Sequence, residues 1–246
     1  MPITPPSSTP QHAGVFVSFE GGDGAGKSTQ SRMLREALEA LGREVVLTRE
    51  PGGTELGRAI RQVLLHGDHV APRAEALLFA ADRAHHVATL IRPALERGAV
   101  VLTDRYLDSS VAYQGVARAL RHDDVRDLSL WATEGLLPDL TVLLDVSAEE
   151  GRSRRDGVHD RLEREDDTFH EAVRQGYLHL AAQDPGRYLI LDAGADPVQL
   201  HRAVCRELAS RRADLAGLVP PGGETPPDGS AATSADAGTL GSGDAR

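Results

Sequence analysis

Residues 21–28 read Gly-Gly-Asp-Gly-Ala-Gly-Lys-Ser, a match to the pattern G-x-x-x-x-G-K-[ST]. Gly21, Gly22, Gly24 and Gly26 let the backbone turn its N–H groups inward around a phosphate. Asp23 and Ala25 complete the loop, and Ser28 and Thr29 open a helical pattern whose positive dipole end favours the same anion. Lys27 would reach the β- and γ-phosphates of a nucleoside triphosphate, and the Ser28 hydroxyl would ligate Mg2+. A glycine-rich turn that merely caps a helix would fit the glycines but gives no reason for the lysine. The chain has 27 Lys and Arg side chains, and Lys27 is the only lysine. That count also removes reaction classes. Guanine-specific GTPases read the base with N-K-x-D, and partition-type ATPases carry an extra lysine early in the loop. Kinases of small molecules or nucleotides, ordinary ATPases and non-catalytic nucleotide-binding modules remain.

Asp104-Arg105-Tyr106 directly follows the apolar run Val100–Thr103. Ligands of open parallel sheets bind at the carboxyl ends of strands, so this aspartate and arginine are placed to work. Asp104 could hold Mg2+ through water or orient an attacking oxygen, and Arg105 offers a planar fork to phosphate oxygens. Thr48-Arg49-Glu50-Pro51-Gly52-Gly53-Thr54 occupies the same position after another apolar run. An ordinary ion pair at a strand end would explain either segment alone, but not both beside a phosphate loop. Phe79 and Arg83 form an i, i+4 pair in Leu77-Leu78-Phe79-Ala80-Ala81-Asp82-Arg83, a ring and a guanidinium suited to a nucleobase. A helical Phe is also commonly a core residue. Ser109, Ser110, Tyr113 and Gln114 cluster after Asp104. The arginine-rich stretch 151–163 suits either a solvated loop or a mobile lid. As a lid it would bring Arg154 and Arg155 over a transferring phosphoryl group and exclude water.

These groups need a frame. Val15–Phe19, Val45–Thr48, Val100–Thr103, Thr141–Asp145 and Tyr188–Asp192 are short apolar runs, read as strands buried on both faces. Amphipathic stretches lie between them: Ser28–Leu41 closed by Gly42, Thr54–Leu65, Ala74–Arg97, Ser109–Leu120, Asp124–Gly135, Asp166–Ala182 and Pro197–Arg212. That alternation predicts an α/β fold, a parallel sheet with helices on both faces, in one domain over about residues 14–214. Residues 1–13 and 215–246 are rich in Pro, Gly, Ser and Ala and are expected to be disordered.

Composition narrows the partners. The net charge of −10 argues against a nucleic-acid-binding face. Cys205 is the only cysteine, which excludes a disulfide framework and suits a reducing, cytoplasmic setting. No apolar run is long enough to span a membrane, and Met1–Gly14 lacks the basic flank and apolar stretch of a signal peptide.

FEGGDGAGKSTQ, TREPGGTELG, LLFAADR, DRYLDSSVAYQG, PDLTVLLDV and DRLE occur in an order and spacing that resembles the bacterial thymidylate kinases, from about Val15 to Arg206. The resemblance implies a P-loop NTPase three-layer sandwich with a five-stranded parallel sheet, a homodimer, Mg2+, and transfer of the ATP γ-phosphoryl group to dTMP in dTTP biosynthesis. It also implies roles by position. Phe79 would stack on thymine and Arg83 would hydrogen-bond its O4, with Ser109, Ser110 and Gln114 completing the base side. Arg49, Arg61 and Arg105 would serve the dTMP phosphate, and Asp23 would take the deoxyribose 3′-OH. Asp104 would act at the metal and acceptor phosphate. Because the loop carries Gly24 and Ala25 and no arginine, Arg154 or Arg155 of the lid would supply the charge on the transferring group. A kinase with another nucleotide or deoxynucleoside acceptor, and a nucleotide sensor without catalysis, are the rival readings.

Overall fold

Along β1 (Val15–Glu20), Val15, Val17 and Phe19 pack into one apolar cluster and Phe16 into another. This is the two-residue period of a strand with a core on each face. The computed structural model describes residues 12–117, 120–154 and 160–219. Together with β2 (Val45–Arg49), β3 (Val100–Asp104), β4 (Leu140–Asp145) and β5 (Tyr188–Asp192), β1 forms one sheet in the order β2-β3-β1-β4-β5. Every neighbouring pair is parallel. The register sets Arg49 and Phe19 opposite Asp104, so three strand ends converge at one edge.

One face of the sheet is covered by α1 (Lys27–Ala40), α9 (Pro197–Arg211) and a 3-10 turn, Ala213–Leu218. The other face packs residues of α2 (Glu55–His66), α3 (Pro72–His86), α4 (Arg92–Glu96), α5 (Leu107–Ser110) and α8 (Asp167–Gln183). α6 (His122–Ala132) lies beside α3 and α5, and α7 (Ala148–Ser153) follows β4. The result is the expected three-layer α/β sandwich. The connections that leave the neighbouring strands β1 and β3 start on opposite faces of the sheet, α1 on one and α5 on the other, which opens a crevice at the carboxyl ends.

Four details depart from the sequence expectation. β2 and β5 are half-exposed, with Leu47 37% and Ile190 49% accessible, because they are the sheet's edges. An apolar run does not distinguish an edge strand from a central one. The helix expected over Ala74–Arg97 is continuous but passes through a π-helical stretch at Val87–Ile91, and α5 likewise runs into a π-helical stretch at Val111–Ala117. The fold also continues past residue 214, since Leu215 and Leu218 are buried against α9. Finally, the segment read as a lid from 151 begins inside α7, and Ser147 caps that helix by accepting from the Glu150 N–H. Residues 1–11 and 220–246, most of the two expected tails, lie outside the described residues.

Candidate active site

Lys27 is the first residue of α1 and is 7% accessible. Its Nζ turns back over the loop and donates to the carbonyls of Gly21 at 3.1 Å and Gly22 at 2.7 Å. Burial, and then the nearby Arg105 charge, lower its pKa. An ammonium so placed gains from an arriving polyphosphate. Ser28 Oγ donates to Asp104 Oδ2 at 2.8 Å, joining the helix start to the end of β3. Both are hard oxygen donors, which suits Mg2+. Among the described residues no group of three or more His, Cys, Asp or Glu forms a metal cage. A two-residue oxygen set of this kind matches an ion that keeps waters and shares phosphate oxygens.

Arg105 has φ +69, a left-handed conformation rare for a side chain of this size and a place where strain is held at functional sites. Its N–H donates to Phe19 O at 2.9 Å and Thr103 Oγ1 donates to its carbonyl at 2.9 Å, which pins the backbone. The guanidinium then donates to Gly21 O at 3.1 Å, Tyr177 Oη at 3.2 Å, Tyr113 Oη at 3.2 Å and the Asp23 carboxylate. Burial works against its charge, but the Tyr113, Asp23 and Tyr177 oxygens outweigh it and raise the pKa. Burial also opposes ionisation of Asp23, yet Arg105 and then Lys27 hold its carboxyl well below the usual range.

Arg49 and Arg61 meet near Pro51. Arg61 NH1 donates to Pro51 O at 3.0 Å, and burial together with the adjacent Arg49 charge lowers its pKa. Arg49 makes no hydrogen bond or ion pair among the described residues. Like charges crowded at a cavity wall are a signature of an anion site.

These groups line one cavity of about 540 Å3. Asp23, Gly24, Gly26, Lys27, Ser28, Thr29, Asp104 and Arg154 are among its lining residues. Arg49, Arg61, Phe79, Arg83, Arg105, Ser109, Ser110 and Gln114 line the same cavity. Gly21, Gly22 and Ala25 are not among its lining residues. Arg154 reaches the cavity while donating to Ala193 O at 2.8 Å and to the Glu150 carboxylate. Arg155 lies outside the described residues.

A model of the family described as thymidylate kinase matches residues 19–204. The chain belongs to the thymidylate kinase family.

Curated relatives agree. The chain is 65% identical to a thymidylate kinase of Clavibacter sepedonicus over 185 residues, covering 74% of this chain and 88% of the relative. It is 62% identical to one of Leifsonia xyli subsp. xyli over 185 residues, 73% of this chain and 87% of the relative. A third, from Clavibacter michiganensis subsp. michiganensis, is 60% identical over 195 residues, 78% of this chain and 92% of the relative.

The structure also shows what supports the site in this thymidylate kinase fold, including Glu20, which the motifs did not single out. Glu20, fully buried at the end of β1, accepts from Tyr106 N–H at 2.7 Å, Ser109 Oγ at 2.6 Å and Tyr177 Oη at 3.0 Å. Ser109 and Tyr177 both touch Arg105, so Glu20 sets the bed on which that arginine rests. Burial, then the charge of Asp108, raises the Glu20 pKa to about 7. A lone acid ending an apolar strand was its only signal. Arg83 is 1% accessible and held by Glu50 Oε2 at 2.7 Å, Tyr106 O at 3.1 Å and Ser110 Oγ at 3.1 Å. Glu50 also meets His86 Nδ1 at 2.9 Å, and His86 Nε2 meets Thr48 Oγ1 at 2.7 Å, which ties the Arg49 loop to α3.

The loop and the lid base meet backbone to backbone. A Cβ at Gly24, where φ is +82, would stand 2.3 Å from Gly151 O, and one at Gly151 would stand 2.6 Å from Asp23 O. With α7 seated, position 24 has no room for a side chain, so a loop arginine could not work there.

Two outcomes follow. Gly151→Ala should push α7 off the loop, lowering kcat at least about tenfold and leaving dTMP affinity within about threefold; unchanged kcat would contradict the contact. Glu20 holds a proton in the folded state between about pH 4.5 and about 7 that the unfolded chain releases, so its contribution to stability falls as pH rises through that window. Glu20→Gln should therefore gain stability relative to the parent across that range in urea unfolding, with a constant difference above it. A pH-independent difference would contradict the assignment.

Proposed function

We propose that the protein transfers the γ-phosphoryl group of ATP to dTMP, giving dTDP and ADP on the route to dTTP. One observation carries the reading: one cavity joins the Lys27 phosphate loop to three arginines, Arg49, Arg61 and Arg105, of which only Arg105 has an ion-pair partner among the described residues. An acceptor that itself carries a phosphate accounts for both halves.

In this reading Lys27 and the loop N–H groups hold the β- and γ-phosphates. Arg49, Arg61 and Arg105 hold the acceptor phosphate, and Phe79, Arg83, Ser109, Ser110 and Gln114 frame the base. Asp23 takes the 3′-OH of the deoxyribose while keeping Arg105 in place. Mg2+ held at Ser28 and Asp104 would neutralise charge on the donor phosphates. The acceptor oxygen is already ionised at neutral pH, so positioning and electrostatics do most of the work and no strong general base is needed. Arg154, or Arg155 beside it, supplies charge to the transferring group, and the lid keeps water out.

We also propose a homodimer through α2, α3 and α6. Leu56 and Val63 on α2, Leu77 on α3 and Trp131 on α6 are 47%, 51%, 58% and 77% accessible, and Ala74, Ala81 and Ala88 extend the same apolar surface. The three helices pack side by side, and an apolar surface of this extent fits a self-complementary contact. No helix among the described residues is long and apolar enough to cross a membrane. With a lone buried thiol and an acidic balance, the reading is a cytoplasmic enzyme acting on ATP and dTMP, without nucleic-acid or membrane partners.

A coupled ATP-consumption assay with dTMP, dUMP, dCMP, UMP and thymidine tests the acceptor. The expected result is highest kcat/KM for dTMP, with thymidine at least about 100-fold poorer because the arginines then lack a target. Preference for thymidine would overturn the reading, and tight ATP binding without dTDP formation would favour a sensor. Arg105→Ala should lower kcat/KM for dTMP at least about 100-fold, more than His170→Ala. Leu77→Glu should shift sedimentation from dimer to monomer; an unchanged dimer would place the interface elsewhere.

A further inference from the structure

Glu75, on α3, is fully buried and lies behind the cavity wall. One of its oxygens accepts from Gln114 Nε2 at 2.9 Å. The other accepts from the Arg161 guanidinium. Arg161 lies within the 151–163 stretch read as a lid, and it is anchored where α2 ends. Its Nε donates to Leu64 O at 2.9 Å and its backbone N–H to Leu65 O at 3.1 Å. Gln114 lines the cavity, and no described residue bonds its Oε1.

A glutamine amide has two orientations of nearly equal shape and opposite hydrogen-bonding sense. A carboxylate can only accept, so it selects the orientation that turns the NH2 group toward it and leaves the carbonyl for the cavity. Arg161 balances the carboxylate charge, which a buried acid requires. An acceptor presented at the base pairs with the N3–H of a 4-oxo pyrimidine. The same acceptor faces a bare N3 lone pair in a 4-amino pyrimidine.

We propose that Glu75 is a specificity-positioning residue: by fixing the Gln114 amide, with Arg161 tying it to the lid-side segment, it makes the site accept thymine-type bases and reject cytosine. The proposal rests on the dTMP kinase reading and adds the group that sets its base discrimination.

The test compares kcat/KM for dTMP and dCMP in the parent and in Glu75→Gln. The variant keeps the shape of the side chain but lets Gln114 turn over. The dTMP-to-dCMP ratio should fall at least about tenfold with the KM for ATP unchanged. Because Glu75→Gln leaves Arg161 without its charge partner and could unfold the chain, Glu75→Gln/Arg161→Met removes both charges together and should show the same fall. Activity on both nucleotides reduced in proportion, with the ratio kept in a folded variant, would make Glu75 merely structural and overturn the proposal. A parent protein inactive on dTMP would instead overturn the kinase reading, so the two failures are distinguishable.

Discussion

Two cations share one carbonyl. Lys27 Nζ and the Arg105 guanidinium each donate to Gly21 O at 3.1 Å, at the point where β1 becomes the phosphate loop. Like charges this close repel, and the surrounding structure is arranged to hold them. Asp23 pairs with Arg105, and Asp104 and Glu20 add negative charge near Lys27. Phosphate oxygens of two nucleotides would complete the balance. The site is therefore a concentration of positive charge built by the fold, in a protein whose net charge is −10.

That constraint accounts for neighbours that look unrelated to catalysis. The parallel register sets Arg49, Phe19 and Asp104 side by side, so the next residue of β3's chain, Arg105, emerges over the loop. Its left-handed backbone is held by Phe19 and Thr103, and its side chain rests on Ser109 and Tyr177, both of which donate to buried Glu20. The approach of Gly24 to Gly151 leaves position 24 of the loop no room for a side chain.

Much of this was legible because strand ends and loop motifs are local in sequence. The five apolar runs gave every strand to within about one residue, and the site residues after β1, β2 and β3 gather as their positions implied. What was not legible depends on long-range contacts. Glu20 reads as a strand end until Ser109 and Tyr177, 89 and 157 residues away, arrive beside it. Arg161 and Glu75 are separated by 86 residues and look like ordinary surface charges. Edge and central strands share a composition, so only the pairing order shows that β2 and β5 are exposed. The helix that begins the 151–163 stretch was hidden by its arginines, which suit a loop or a lid as well as a helix end.

The central claim is that the loop needs a compact ammonium, and Lys27→Arg tests it most directly. The side chain is 7% accessible, with two carbonyls within 3.1 Å of Nζ, which leaves no space for a planar fork. Steady-state turnover of ATP and dTMP, with dTMP affinity measured by calorimetry, separates chemistry from acceptor binding. The expected result is a kcat at least about 100-fold below the parent with dTMP affinity within about threefold. Parent-like turnover by the charge-conserving variant would contradict it.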